Sequence, residues 1–169
     1  QRVQETGLPQ VYAHLMGGKD EEVFEGHSFA LNAEGSLAGS APSFKENSFL
    51  ALVKYDHGAI NIEASVEPVR TPEQDLWDAL VLGVRDYVGK NGFPGALLGL
   101  SGGIDSALVL AIAVDALGAN KVRAVMMPSP YTADISWLDA REMAQRMGVR
   151  YDEISIVPMF DAFRTSLAP

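Results

Sequence analysis

Apolar residues come in short alternating runs up to about position 66, and beyond position 72 they recur at helical spacing. Gln10-Val11-Tyr12-Ala13-His14-Leu15-Met16 is one short run, and it stops at Gly17-Gly18. Ser28 to Asn32 alternates before the turn Asn32-Ala33-Glu34-Gly35. Phe49 to Tyr55 is a third run, and Asp56-His57-Gly58 reads as a hairpin turn into Ala59-Ile60-Asn61-Ile62. The pattern predicts strands and no long helix. A sheet of this size without helices leaves one face uncovered. Residues 1–66 therefore read as the tail of a larger sandwich that starts before Gln1.

Pro68 and Pro72 bracket a short link, and the pattern then changes period. Thr71 as N-cap, Pro72 at N1 and Gln74 at N3 form a capping-box signature. Leu76, Trp77, Leu80, Val84, Tyr87 and Val88 predict a helix with one face on a core, closed by Asn91 to Gly95. Next, the apolar run Ala96-Leu97-Leu98-Gly99-Leu100 stops at Ser101-Gly102-Gly103-Ile104-Asp105-Ser106. It restarts as Ala107 to Val114, a second helix, with Gly118 as its C′ residue. Val122 to Met127 predicts a strand, Pro128 to Ile135 a polar loop, and Ser136 caps a helix with Leu138, Met143 and Met147 turned inward. Gly148 ends that helix, Val149 to Ile156 is a third strand, and Pro158 to Leu167 starts another helix. The order β-α-β-α-β-(α) predicts an α/β parallel, doubly wound sheet with helices on both faces.

Ligands of such sheets bind beyond the carboxyl ends of the strands. Two loops have that address, Ser101 to Ser106 and Pro128 to Ile135, and they share one site if their strands are neighbours. In the first loop the glycines let backbone N–H groups approach a phosphate, and the helix N-terminus adds unpaired donors. It is not a Walker A loop, because no lysine occurs between Lys90 and Lys121. Asp105 suggests instead a carboxylate that grips phosphates through Mg²⁺.

The 169 residues carry 13 Lys and Arg against 22 Asp and Glu, a net charge of −9. That balance argues against nonspecific nucleic-acid binding, and no basic cluster offsets it. No apolar stretch is long enough to span a membrane. Cysteine is absent, so no disulfide, thiolate metal site or cysteine nucleophile exists within these residues. His14, His27 and His57 are too scattered for a metal cluster.

The loop Ser101-Gly102-Gly103-Ile104-Asp105-Ser106 resembles the SGGxDS loop of the N-type ATP pyrophosphatases, a superfamily that includes GMP, asparagine and argininosuccinate synthetases. The second loop, Met127-Pro128-Ser129-Pro130-Tyr131-Thr132 with Ser136, Asp139 and Ala140, looks like that of NAD synthetase. Glu5-Thr6-Gly7-Leu8-Pro9-Gln10-Val11-Tyr12 and Gly17 to Phe29 resemble the late part of a nitrilase-type glutaminase domain. The combination resembles the glutamine-dependent NAD synthetases, and it covers nearly the whole chain.

The resemblance implies that residues 1–66 end a nitrilase-like α-β-β-α sandwich, 67–72 link, and 73–169 begin an ATP-pyrophosphatase domain. It implies amidation of deamido-NAD⁺ to NAD⁺ through an adenylated intermediate, with ATP and Mg²⁺ as cofactors and ammonia from glutamine. Ser101, Gly102, Gly103 and Ser106 would hold the pyrophosphate part of ATP, with Gly99, Leu100 and Ile104 beside them. Asp105 would help bind the metal. Met127, Ser129 and Tyr131 would lie at the adenosine end. The family's glutaminase Cys is not in this chain, and Lys19 and Glu21 do not belong to its triad, so the segment alone is expected to be inactive. A cytoplasmic homo-oligomer is the further implication. The alternatives are a non-catalytic nucleotide-binding relative, or another ligase of the loop such as GMP synthetase.

Overall fold

Residues 2–168 are described by a computed structural model, in which the chain forms two compact units, the first ending at Asp86 and the second beginning at Tyr87. The first unit opens on a short helix, α1 (Arg2–Thr6). Strands β1 (Gln10–Tyr12), β4 (Phe29–Leu31) and β5 (Leu37–Ser40) make an antiparallel sheet in the order β1-β4-β5. Two hairpins form separate two-stranded sheets of the unit, β2 (Met16–Lys19) with β3 (Glu22–Glu25), and β6 (Leu52–Asp56) with β7 (Ala59–Glu63). The predicted turn Asp56-His57-Gly58 is present. His57 and Gly58 both have positive φ, 46° and 89°, as a tight two-residue hairpin turn requires.

The expected single run over Gln10 to Met16 is instead two strands, and Gly17-Gly18 lies inside the second rather than ending the first. The reason is a helix that needs the space. The Gly18 N–H donates to Asp86 Oδ2 at 2.8 Å, and a Cβ on Gly18 would sit 3.1 Å from the Asp86 Cβ. Two glycines in a row read as a turn, yet here they let a strand approach a helix.

That helix is α2 (Pro72–Lys90), and its capping box is formed. Gln74 N–H donates to Thr71 Oγ1 at 3.3 Å, while Thr71 N–H donates to Gln74 Oε1 at 3.0 Å. Arg70, just before it, reaches Asp75 at 2.6 Å and Asp78. The predicted inward face is met in part, with Trp77, Val84 and Val88 half-buried. Leu82 is the buried residue, whereas Leu76 is 62% exposed and Leu80 and Tyr87 are also exposed. Periodicity does not single out Leu82, because Asp78 and Asp86 stand one turn to either side of it.

In the second unit β8 (Ala96–Gly99), β9 (Val122–Met126) and β10 (Arg150–Glu153) form a parallel sheet in the order β10-β9-β8. The β8 and β9 strands are therefore neighbours, as one shared site requires. Crossover helices α3 (Ile104–Leu117) and α4 (Asp134–Met147) join them, and α5 (Val157–Ser166) follows. Leu110 and Ala113 of α3, Ala140 and Ala144 of α4, and Ala124 and Met126 of β9 belong to one core. Both crossovers thus lie on one face of the sheet, because consecutive strands step in one direction and each crossover is right-handed. The expectation of helices on both faces is met by these crossovers on one face only. The alanines at 124, 140 and 144 let α4 sit close on β9. Each leucine buried beneath contributes about 1.5–3 kcal/mol.

Gly118 and Gly148 end α3 and α4 with φ of 82° and 67°, as expected. Ser136 does not cap α4. The helix starts three residues earlier, with Ala133 at the N-cap and no side-chain cap, after a turn in which Ser129 N–H donates to Thr132 Oγ1 at 2.8 Å. Leu138 is exposed, while Met143 and Met147 pack on the core.

Glu153 ties β10 to α4. Arg141 Nη2 donates to Glu153 Oε1 at 2.6 Å, and this hydrogen bond holds the Glu153 carboxyl below the ordinary glutamate range. Trp137 Nε1 and Tyr151 Oη are buried without a hydrogen bond of full geometry, but Glu153 is the acceptor they act on and they add to the effect. A carboxyl lowered by folding stabilises the fold above about pH 4.5, the ordinary range, and that stabilisation is lost as pH falls through the lower folded value. Glu153→Gln is therefore expected to lower Tm at pH 7 and to flatten the acid limb of a Tm-against-pH curve. An unchanged acid limb would show that the pair does not couple to folding.

Candidate functional site

Strand β8 delivers the chain to the first loop. Leu100 is buried and its N–H donates to Val125 O at 2.8 Å, which holds the loop's first residue at the sheet edge. Beyond it the serines close on themselves. Ser106 Oγ donates to Gly103 O at 3.0 Å and accepts from Ser101 N–H at 3.2 Å. With its proton so placed, Ser106 Oγ also accepts from Ser101 Oγ at 3.0 Å. Gly103 N–H in turn donates to Ser101 Oγ at 3.2 Å. Gly103 is the N-cap of α3, and no side chain caps that helix. The positive end of α3 is thus left to whatever enters the loop.

Gly102 explains why the loop needs glycine. Its φ is +81°, and a Cβ there would lie 2.1 Å from the carbonyl oxygen of Ser136. No other residue type fits that approach, so the loop is pressed against the first turn of α4. Gly103 is different, since a Cβ on it would meet only Ser101 Oγ at 3.4 Å.

The structure brings the candidate residues into three groups. Gly99, Leu100, Ser101, Met127 and Tyr131 line a cavity of about 520 Å³ at the carboxyl edge of β8 and β9, a volume ordinary for a small-molecule site. Gly102, Gly103 and Ile104 line a separate cavity of about 390 Å³ toward α4, which Leu100 also touches. Asp105, Ser106 and Ser129 line neither of these. Ser106 belongs to the hydroxyl ring, and Ser129 shapes the second loop through Thr132 at 2.8 Å and through Tyr131 N–H, which donates to Ser129 Oγ at 3.2 Å. Asp105 is exposed on the first turn of α3, and no ion pair or hydrogen bond to its carboxylate is seen among the described residues.

Thr132 and Ser136 also line the larger cavity, though they are not among the sequence candidates for it. The Ser-Pro-Tyr-Thr spacing is the signal that could have found Thr132, since a hydroxyl three residues after a serine can close such a turn. Ser136 was assigned to capping, and only the earlier helix start frees it.

A parallel sheet that ends in a Ser-Gly-Gly turn, with a cavity at its carboxyl edge between two loops, is the arrangement of α/β ligand-binding domains. Within that class the particular family is defined by sequence. The chain belongs to the NAD synthase family, whose model matches residues 76–169, more than half of it. It is 46% identical over 158 residues to the glutamine-dependent NAD(+) synthetase of Rhodobacter capsulatus, covering 92% of this chain and 28% of that protein. The glutamine-dependent NAD+ synthetase of Acinetobacter baumannii, solved with adenosine diphosphate, superposes with a TM-score of 0.91 at 44% identity. The match covers 98% of this chain and 31% of that one. The NH3-dependent NAD synthetase of Campylobacter jejuni matches 59% of this chain and 43% of its own, with a TM-score of 0.54 and 29% identity. The chain thus spans under a third of the length of its glutamine-dependent relatives. Among the described residues, no helix is long and apolar enough to cross a membrane.

Proposed function

We propose that the protein carrying this chain makes NAD⁺ by ATP-dependent amidation of deamido-NAD⁺, with glutamine as the nitrogen source. The observation that carries the reading is the glycine-locked loop after β8, left without a side-chain cap at α3, in a chain of the NAD synthase family. A carboxylate is a poor electrophile. Its oxygen attacks the α-phosphorus of ATP and pyrophosphate leaves. Ammonia then adds to the acyl carbon, AMP departs with the bond electrons, and the nitrogen loses a proton.

In this reading Ser101, Gly102, Gly103 and Ser106 hold the departing phosphates through N–H and hydroxyl donors. Gly99, Leu100 and Ile104 shape the ground beneath them, and Met127, Ser129 and Tyr131 flank the adenosine. Asp105 fits a role toward Mg²⁺, because its carboxylate is exposed on the first turn of α3, directly after the Ser-Gly-Gly turn. A lone carboxylate suits a metal whose other ligands are phosphates and water. When bound, the ion supplies positive charge to the departing pyrophosphate.

Residues 1–66 are read as the end of a nitrilase-like glutaminase domain, 67–72 as a link, and 73–169 as the start of the synthetase domain. The wider match to glutamine-dependent than to ammonia-dependent relatives, 98% against 59% of the chain, supports this. A cytoplasmic homo-oligomer belongs to the same reading. The test is to incubate the protein carrying this chain with ATP, Mg²⁺ and ammonia or glutamine, offering deamido-NAD⁺ or XMP. NAD⁺ with AMP and pyrophosphate is the expected product set. GMP from XMP would favour another ligase of the loop, and no product from either substrate would favour a non-catalytic relative.

A further inference from the structure

Tyr131 stands at the tip of the second loop, 80% exposed, and lines the larger cavity. A tyrosine so exposed would ordinarily sample several χ1 wells. Here the Phe160 ring of α5 meets it edge to face, with centroids 5.6 Å apart and an interplanar angle of 82°. That is the favoured geometry for an aromatic pair, the positive edge of one ring against the negative face of the other. Phe160 is itself anchored. The Ile156 N–H donates to Pro128 O at 3.1 Å, so the entry to α5 is bonded to the first proline of the loop, and Phe160 N–H donates to Ile156 O at 2.9 Å. The loop is thereby held at its base by a backbone bond and at its tip by a ring, both from the segment that leads into and forms α5.

We propose that Phe160 is a positioning residue for nucleotide binding: it touches no ligand itself and sets the rotamer of Tyr131 over the cavity. The inference rests on the nucleotide reading given above. If Phe160 acts only through Tyr131, the two positions must be coupled, which a packing role elsewhere in α5 would not produce.

The experiment is calorimetric titration of ADP into the protein carrying this chain and into its variants. Phe160→Ala is expected to raise Kd about three- to tenfold, the range that loss of an aromatic pair implies. Phe160→Tyr, which keeps the aromatic ring, should restore affinity, whereas Phe160→Leu, which keeps apolar bulk, should not. In a Tyr131→Ala background, Phe160→Ala should change Kd no further. An equal loss in both backgrounds, or rescue by leucine as good as by tyrosine, would overturn the proposal while leaving the nucleotide site intact. No effect of Tyr131→Ala on Kd would do the same. Failure of the unaltered protein to bind ADP would overturn the nucleotide reading, and this inference with it. Should Phe160→Ala not fold, the tyrosine and leucine variants still decide the question.

Discussion

Replacing Gly102 with alanine is expected to cost about 2–5 kcal/mol of stability and to abolish nucleotide binding. The left-handed φ of +81° costs a residue with a Cβ about 1–2 kcal/mol. Relieving an overlap in a packed region costs about 1–3 kcal/mol more. Here the overlap is with a backbone carbonyl, Ser136 O at 2.1 Å, which has no flexible end to swing aside. Either the loop lifts from α4 or the first turn of α4 unwinds, and both disturb the two loops together. The measurement is a urea midpoint alongside ADP titration. Gly103→Ala is the control, because its Cβ would make only an ordinary contact at 3.4 Å. Gly103→Ala should stay within about 1 kcal/mol of the parent, the size of an N-cap exchange. Equal stability of the two variants would contradict the account of Gly102.

Asp105→Asn is expected to leave stability within about 0.5 kcal/mol and to slow adenylation by about 10²- to 10⁴-fold. The first figure follows from an exposed carboxylate to which no partner is seen among the described residues. The second follows from the role proposed for Asp105 toward a divalent cation, whose charge would stabilise the departing phosphates by several kcal/mol. Pyrophosphate release from ATP and deamido-NAD⁺, measured across a Mg²⁺ titration, checks it. Glutamine hydrolysis in the same protein should survive in part. Loss of both activities together, with Tm unchanged, would show that the site at Asp105 controls the distant chemistry as well.

The parallel sheet was legible because its strands are continuous apolar runs and its turns are marked by Gly118 and Gly148, where positive φ is needed. The first loop was legible for the same kind of reason, since two glycines between an apolar run and a helical one mark a sharp turn. What escaped was set by approach between distant residues. Gly18 looks like a turn until Asp86 is seen beside it. The burial of Leu82 in α2 escaped because Asp78 and Asp86, one turn to either side, give it no apolar periodicity. The start of α4 lies three residues before the one its sequence suggests, since Ser136 is a good cap by type while the Ser129–Thr132 turn that fixes the true start lies outside the helix. The partition of the glycine loop between two cavities has no sequence signal. It follows from one carbonyl contact.

The ring of Ser101, Gly103 and Ser106 has a thermodynamic consequence. An oxyanion arriving there finds the Ser101 and Ser106 hydroxyls and the Gly103 amide already partnered within the loop, beside the uncapped first-turn amides of α3. For those three groups occupancy is a swap at nearly constant bond number. Neutral bonds give way to charge-assisted ones, which are shorter and about twice as strong. Selectivity follows from that exchange. A neutral guest has nothing better to offer than the contacts it displaces, so the loop in its resting form already discriminates by charge.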